Sequence, residues 1–218
     1  LGTPNEGSYS TLRGYTGHNS VVRKLALLDI FNDLKGTTQL IAEFPGVAYL
    51  IPFSGDESWF ELSHWQAIKQ KMTQGEGHFS LPTQAILDKA RLFAKCIHEH
   101  PLNTPALDNK VVYVAGQAER PPAGMRVNNP GEIEFMATSE GDGLVTWASG
   151  IPPGVPTWYA HVEHGRMTSD ETYFEAFSQL LNTGATHLIK LVMPALRSAM
   201  PVSNMTLRDE PIDVPTQG

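Results

Sequence analysis

Two residues of this 218-residue chain combine type and setting suited to proton transfer: Asp142 in EGDGLV and His164 in VEHGRM. Each follows a candidate strand and lies in a glycine-containing loop, where the backbone can turn sharply and present a side chain. In α/β sheets, functional groups collect beyond the carboxyl ends of strands. A hydroxyl is a poor nucleophile until a neutral imidazole takes its proton. That imidazole needs a carboxylate on its other nitrogen to hold the tautomer and stabilise the imidazolium. Taken singly, each residue has a plainer explanation. Asp-Gly is among the commonest turn dipeptides, and a lone histidine after a strand is more often a surface or core residue than a base. The ordered pair, acid before histidine, is what points to chemistry.

The elements that must position this pair follow a change of texture near residue 109. Before it the pattern is helical. Residues 20–33 carry Val21, Leu25 and Leu28, with Val22, Leu27 and Phe31 beside them, as a broad apolar stripe that Gly36 stops. TTQLIAEFPG reads as a second short helix broken at Pro45-Gly46, and DESWFELSHWQAIKQKM as a third. Residues 73–82 read as a loop. TQAILDKARLFAKCIHEH follows, with Ile86, Ala90, Phe93 and Ile97 on one face and Pro101 ending it. After residue 109, Lys110–Gly116 is a fully apolar strand of the kind buried in a parallel sheet. ERPPAGMRVNNPGE reads as a loop, IEFMAT as an extra strand, and TWYAHVEH as a strand ending on His164. Residues 169–183 then form a helix, with Thr168 and Glu171 at capping-box spacing, a stripe of Phe174, Phe177 and Leu181, and Gly184 as C-cap.

Composition narrows the class. A hydrophobic fraction of 41% and a charged fraction of 18% are those of a globular domain. A net charge of −7, with no run of Lys or Arg, argues against nucleic acid or an anionic membrane surface as main partner. The single cysteine, Cys96, excludes an intrachain disulfide and a cysteine-rich metal site. No apolar stretch approaches the ~20 residues of a membrane span. His98-Glu99-His100 offers no metal site, because i and i+2 diverge on a helix. His161 and His164, three apart in an expected strand, face opposite sides.

The chain opens on LGTPNEGS, a strand end running into a Pro/Gly turn. This segment resembles the LGTP…GS that ends the strand following the nucleophile helix in lecithin:cholesterol acyltransferase-like lipases and related α/β-hydrolases. The resemblance implies an α/β fold, the C-terminal part of an α/β-hydrolase with about three core strands and a helical lid. Residues 1–19 would be the strand end and turn of the core, 20–109 the lid or cap insertion, 110–190 the core with the acid and histidine loops, and 191–218 a tail or linker. EGDGLV resembles the family's acid loop, with Thr146 where many relatives carry Pro (GDGxVP). TWYAHVEH resembles the last strand with its histidine. Asp142 and His164 are then the catalytic acid and base. No Gly-x-Ser-x-Gly occurs in the chain; in TGHNSVV, Gly17 and Ser20 have the wrong spacing and mark a helix N-cap. The family's nucleophile elbow and oxyanion donors precede the LGTP strand. The sequence thus reads as the acid/base and lid half of a serine ester hydrolase or acyltransferase, with the nucleophile upstream.

Its partners would be a lipid-like ester substrate and the upstream half of the same protein. No cofactor, metal or nucleic acid is called for. Trp59, Phe60 and Trp65, with Phe79, would either line an acyl-chain groove under the lid or pack the cap on the core. A sheet cut at the LGTP strand would leave an unpaired edge, so self-association through residues 1–8 or 110–116 is expected. The alternative is a non-catalytic hydrolase-like binding module of a larger protein.

Overall fold

The computed structural model describes residues 1–53, 56–72, 78–118, 120–129, 131–191 and 206–207. Residues 73–77 of the expected loop and most of the expected tail lie outside these. The opening segment turns at residues 4–7, where the Gly7 N–H bonds the Pro4 carbonyl at 3.1 Å. Residues 1–4 form no strand. The Gly2 N–H reaches the Val114 carbonyl at 2.9 Å, a single rung. Two causes are visible: Gly2 sits at φ +57°, outside the β region, and Pro4 has no N–H to continue a ladder. Beyond the turn, Ser8 accepts the Ser10 N–H and caps a helix absent from the sequence-based expectation, α1 (Tyr9–Tyr15).

Asn19, one residue before Ser20, caps α2 (Ser20–Leu28) by accepting the N–H groups of Val21 and Val22. The helix stops well before Gly36. Asp29 ends it by accepting the N–H groups of Phe31 and Asn32, and Asp33 then caps α3 (Leu34–Glu43), which contains Gly36. Of the expected apolar stripe only Val22 is buried. Val21, Leu25, Leu27 and Leu28 are exposed, and at the α2–α3 corner Ile30 and Phe31 are each 88% exposed. Pro45 opens the short α4 (Pro45–Ala48). A 3-10 turn at Glu57–Phe60 leads to α5 (Leu62–Lys71), and Thr83 caps α6 (Gln84–Glu99). The inner face of α6 is Leu87, Ala90 and Ala94, while Phe93 stacks on Tyr49 at the rim, with ring centroids 4.8 Å apart. These helices enclose Leu12, Tyr15, Ile51, Trp59, Phe60, Trp65, Phe79 and Leu87.

The second half of the fold is a parallel pair, β1 (Tyr113–Gly116) and β4 (Thr157–Ala160), in register Tyr113↔Thr157. Both faces are covered, which accounts for the mostly apolar character of these runs. Val114, Trp158 and Ala160 pack with Val162, Met167 and the Ala176–Leu180 row of α8 (Phe174–Thr183). Tyr113, Ala115 and Tyr159 pack with Trp147 of α7 (Trp147–Gly150). Among the described residues the parallel core has two strands, where about three were expected. Between them, the stretch expected to be a loop contains β2 (Pro122–Val127), paired antiparallel with β3 (Ile133–Ala137); a two-residue strand, β5 (Thr206–Leu207), pairs on the far side of β3. The fold is mixed α/β.

Two boundaries bear on the site. β4 ends at Ala160, because Val162 bonds back to the Ala160 carbonyl at 2.9 Å. His164 then starts a 3-10 turn, so His161 and His164 do not alternate along a strand. The expected Thr168–Glu171 capping box is replaced by Asp170, which accepts the Thr172 N–H at 3.1 Å. The buried face of α8 is Ala176 and Leu180 with Phe177 half-buried, leaving Phe174 and Leu181 exposed. Gly184, at φ +75°, ends the helix.

Candidate active site

Asp142 and His164 meet beyond the carboxyl ends of β1 and β4. The acid loop is fixed by its own backbone: the Ala118 N–H bonds the Gly141 carbonyl at 2.8 Å, and Asp142 N–H bonds the Val145 carbonyl at 3.1 Å. Gly141 is obligatory in this turn. It sits at φ +152°, and a Cβ would lie 2.2 Å from the Val145 carbonyl oxygen. Thr146, where the resembled loop carries Pro, has a structural role: its hydroxyl accepts the Ser149 N–H at 3.2 Å and starts α7. The Trp147 indole N–H donates to the Gly116 carbonyl at 2.8 Å, tying α7 to the end of β1.

The two carboxylate oxygens of Asp142 have separate partners. Oδ1 accepts the N–H groups of Leu144 at 3.1 Å and Val145 at 2.8 Å, the Asx-turn pattern. Oδ2 is 2.9 Å from Nδ1 of His164. An ionised carboxylate can only accept, so Nδ1 carries a proton and, in the neutral ring, Nε2 keeps its lone pair. The His164 N–H also bonds the Asp142 carbonyl at 2.8 Å, so main chain and side chain both join the two loops. The Asp142 side chain is 3% exposed and that of His164 33%. A buried carboxylate with three donors is offset against desolvation, since each bond to a charged acceptor is worth about 1.5–3 kcal/mol. The hydrogen bond that His164 donates to Asp142 pushes the His164 pKa above the ordinary histidine range; burial opposes this, the Asp142 charge adds to it, and the Leu1 ammonium opposes it. Burial, and secondarily the Asp142 charge, push the Tyr113 hydroxyl up, so it stays a neutral donor to the Thr3 carbonyl at 2.8 Å.

The other expected residues are elsewhere. Trp59, Phe60 and Trp65 lie in the helical core, each nearly without exposure. The Trp65 indole N–H donates to the Trp59 carbonyl at 2.8 Å, and its ring packs edge-on to Tyr15 at 4.9 Å. In this conformation they pack the helices together. An apolar groove of about 500 Å³ runs between α2, α3 and α4, lined by Leu25, Leu28, Leu40, Ile41, Phe44 and Val47, and does not include the Asp142–His164 pair. His98 packs edge-on to Phe53, and His100 Nδ1 donates to the Cys96 carbonyl at 2.8 Å. Among the described residues no three His, Cys, Asp or Glu side chains come together as a metal site.

Sequence reasoning missed the Leu144 and Val145 amides, the Trp147 tie and Gly2. The first was signalled by the Asp-Gly turn itself. The others depend on long-range packing that no local pattern announces. No protein-family model matches the chain, and neither a curated protein nor a solved structure is significantly similar to it.

Proposed function

We propose that Asp142 and His164 are the acid and base of a serine-type acyl-transfer relay on an α/β-hydrolase-like core. In this reading His164 Nε2 takes the proton of an attacking hydroxyl, and Asp142 holds the tautomer and stabilises the imidazolium. The proton later passes to the leaving alkoxide. The observation that supports the reading is the 2.9 Å bond from a buried carboxylate to Nδ1, which leaves the second nitrogen of a part-exposed ring unused. Among the described residues no hydroxyl or thiol bonds Nε2. The nucleophile and oxyanion donors would come from a Gly-x-Ser-x-Gly elbow outside these 218 residues. The resemblance of LGTP…GS and EGDGLV makes the substrate a lipid-like ester, attacked by water or by an alcohol. The unused Nε2 equally suits a non-catalytic module of this fold.

The test is made on the protein that carries an elbow upstream of Leu1. There, Asp142→Asn and His164→Ala should each lower short-chain ester hydrolysis by about 10⁴-fold, and His164→Ala should abolish labelling by a fluorophosphonate. Activity within tenfold of the parent in His164→Ala overturns the proposal. A gene without an elbow upstream selects the binding module.

A further inference from the structure

We infer that Gly2 is a positioning residue: its bare α-carbon lies against the Asp142–His164 hydrogen bond and holds the two side chains in register. This rests on the pair being the working site, but not on what the site acts upon. A Cβ at residue 2 would lie 3.0 Å from Asp142 Oδ2, 3.3 Å from His164 Nδ1 and 3.1 Å from the Met167 methyl. Real Cβ atoms rarely come so close, and two of these three neighbours are the atoms that make the bond. The backbone is fixed on both sides of the contact. The Gly2 N–H is bound to the Val114 carbonyl at 2.9 Å, and the next carbonyl, that of Thr3, accepts the Tyr113 hydroxyl at 2.8 Å. Segment 2–3 is thus anchored twice to β1, the strand beside the pair. Met167, itself buried, closes the remaining side, and its methyl also fits against Gly116, where a Cβ would meet the Asp142 Cβ at 2.6 Å.

Gly2 and the Met167 methyl therefore lie against the bond, Gly116 lies against the Asp142 Cβ, and the Asp142 side chain is 3% exposed. Low local polarity strengthens such a bond while its geometry holds. Glycine serves twice at residue 2, giving both the φ of +57° and the missing Cβ.

The test reads the bond rather than catalysis, so it stands or fails apart from the esterase reading. The His164 ring is titrated by NMR of its Cε1–H in the 218-residue chain. The charged groups facing the ring are Asp142 and the Leu1 ammonium. Asp142→Asn sets the full scale, a fall of about one pH unit or more in the His164 pKa. Gly2→Ala should reproduce at least half of that fall. Gly184→Ala is the control, because Gly184 also has a left-handed φ, +75°, but open space where a Cβ would go. It should leave His164 unmoved. Tyr113→Phe, which adds no atom and frees the Thr3 carbonyl, should move His164 in the same direction by less, and it decides the matter if Gly2→Ala does not fold. An unchanged His164 pKa in folded Gly2→Ala, or an equal fall in Gly184→Ala, overturns the inference, as does an unchanged value in Tyr113→Phe where that variant decides.

Discussion

Asp142 is anchored through one oxygen and acts through the other. Oδ1 is saturated by the Leu144 and Val145 amides, so the carboxylate cannot rotate without breaking two bonds; Oδ2 is left for His164. Linkage turns this into a pH dependence. The folded His164 pKa lies above its unfolded value, so protonated His164 stabilises the fold. That contribution is complete below the unfolded value of about 6.5 and is lost as pH rises through the folded value. Asp142→Asn removes the cause of the shift. Urea midpoints of the parent should therefore fall from about pH 6 to pH 8.5 by more than those of Asp142→Asn, after subtracting a His164→Gln baseline. Equal slopes would show that Asp142 does not set the His164 titration. Residue types and order in the sequence pointed to this pair. Which oxygen meets which nitrogen could not be read there, because it depends on a turn closed by two backbone amides.

At the level of elements, legibility followed how local the signal was. α6 and the Gly184 cap are set by neighbours within one or two turns, and they stand near where periodicity put them. α2 was overextended because its apolar residues run past Asp29, while the helix ends where an aspartate side chain offers the backbone another partner. β2 was hidden by Pro121, Pro122 and Gly124, residues that signal loops and here edge a hairpin pinned by Arg126–Glu134 at 2.8 Å. The aromatic residues of α5 and the turn before it were legible as buried but ambiguous in role. Their packing yields a prediction. Trp65→Ala, removing a fully buried ring, should cost about 3–5 kcal/mol of stability and leave the His164 titration in place. Chemical denaturation with NMR of the surviving fold checks both. A loss under 1 kcal/mol would mean that Trp65 fills a loose cleft rather than a core.

On the scale of the whole molecule, the described residues build an aromatic helical core and two smaller cores on the faces of the β1–β4 pair. On the edge of β1 away from β4 no strand pairs among the described residues; the Val114 carbonyl accepts the Gly2 N–H and the Gly116 carbonyl the Trp147 indole N–H. The apolar corner of α2 and α3 is the larger departure from what composition suggests. Leu27, Leu28, Ile30 and Phe31 stand in water beside a groove that is itself apolar. Contiguous surface of this kind is uncommon on a soluble monomer. Replacing Leu28 and Phe31 together by serine should at least halve the fluorescence of an environment-sensitive apolar dye, while shifting the folding free energy by no more than about 0.5 kcal/mol per site. Undiminished dye signal would place the apolar surface elsewhere. The same four side chains have a practical consequence at the bench. An air–water interface or a plastic wall is an apolar phase, and the α2–α3 corner presents side chains that gain by leaving water for it. Dilute solutions of the parent chain should lose protein to vessel walls, and those of the double serine variant should keep it.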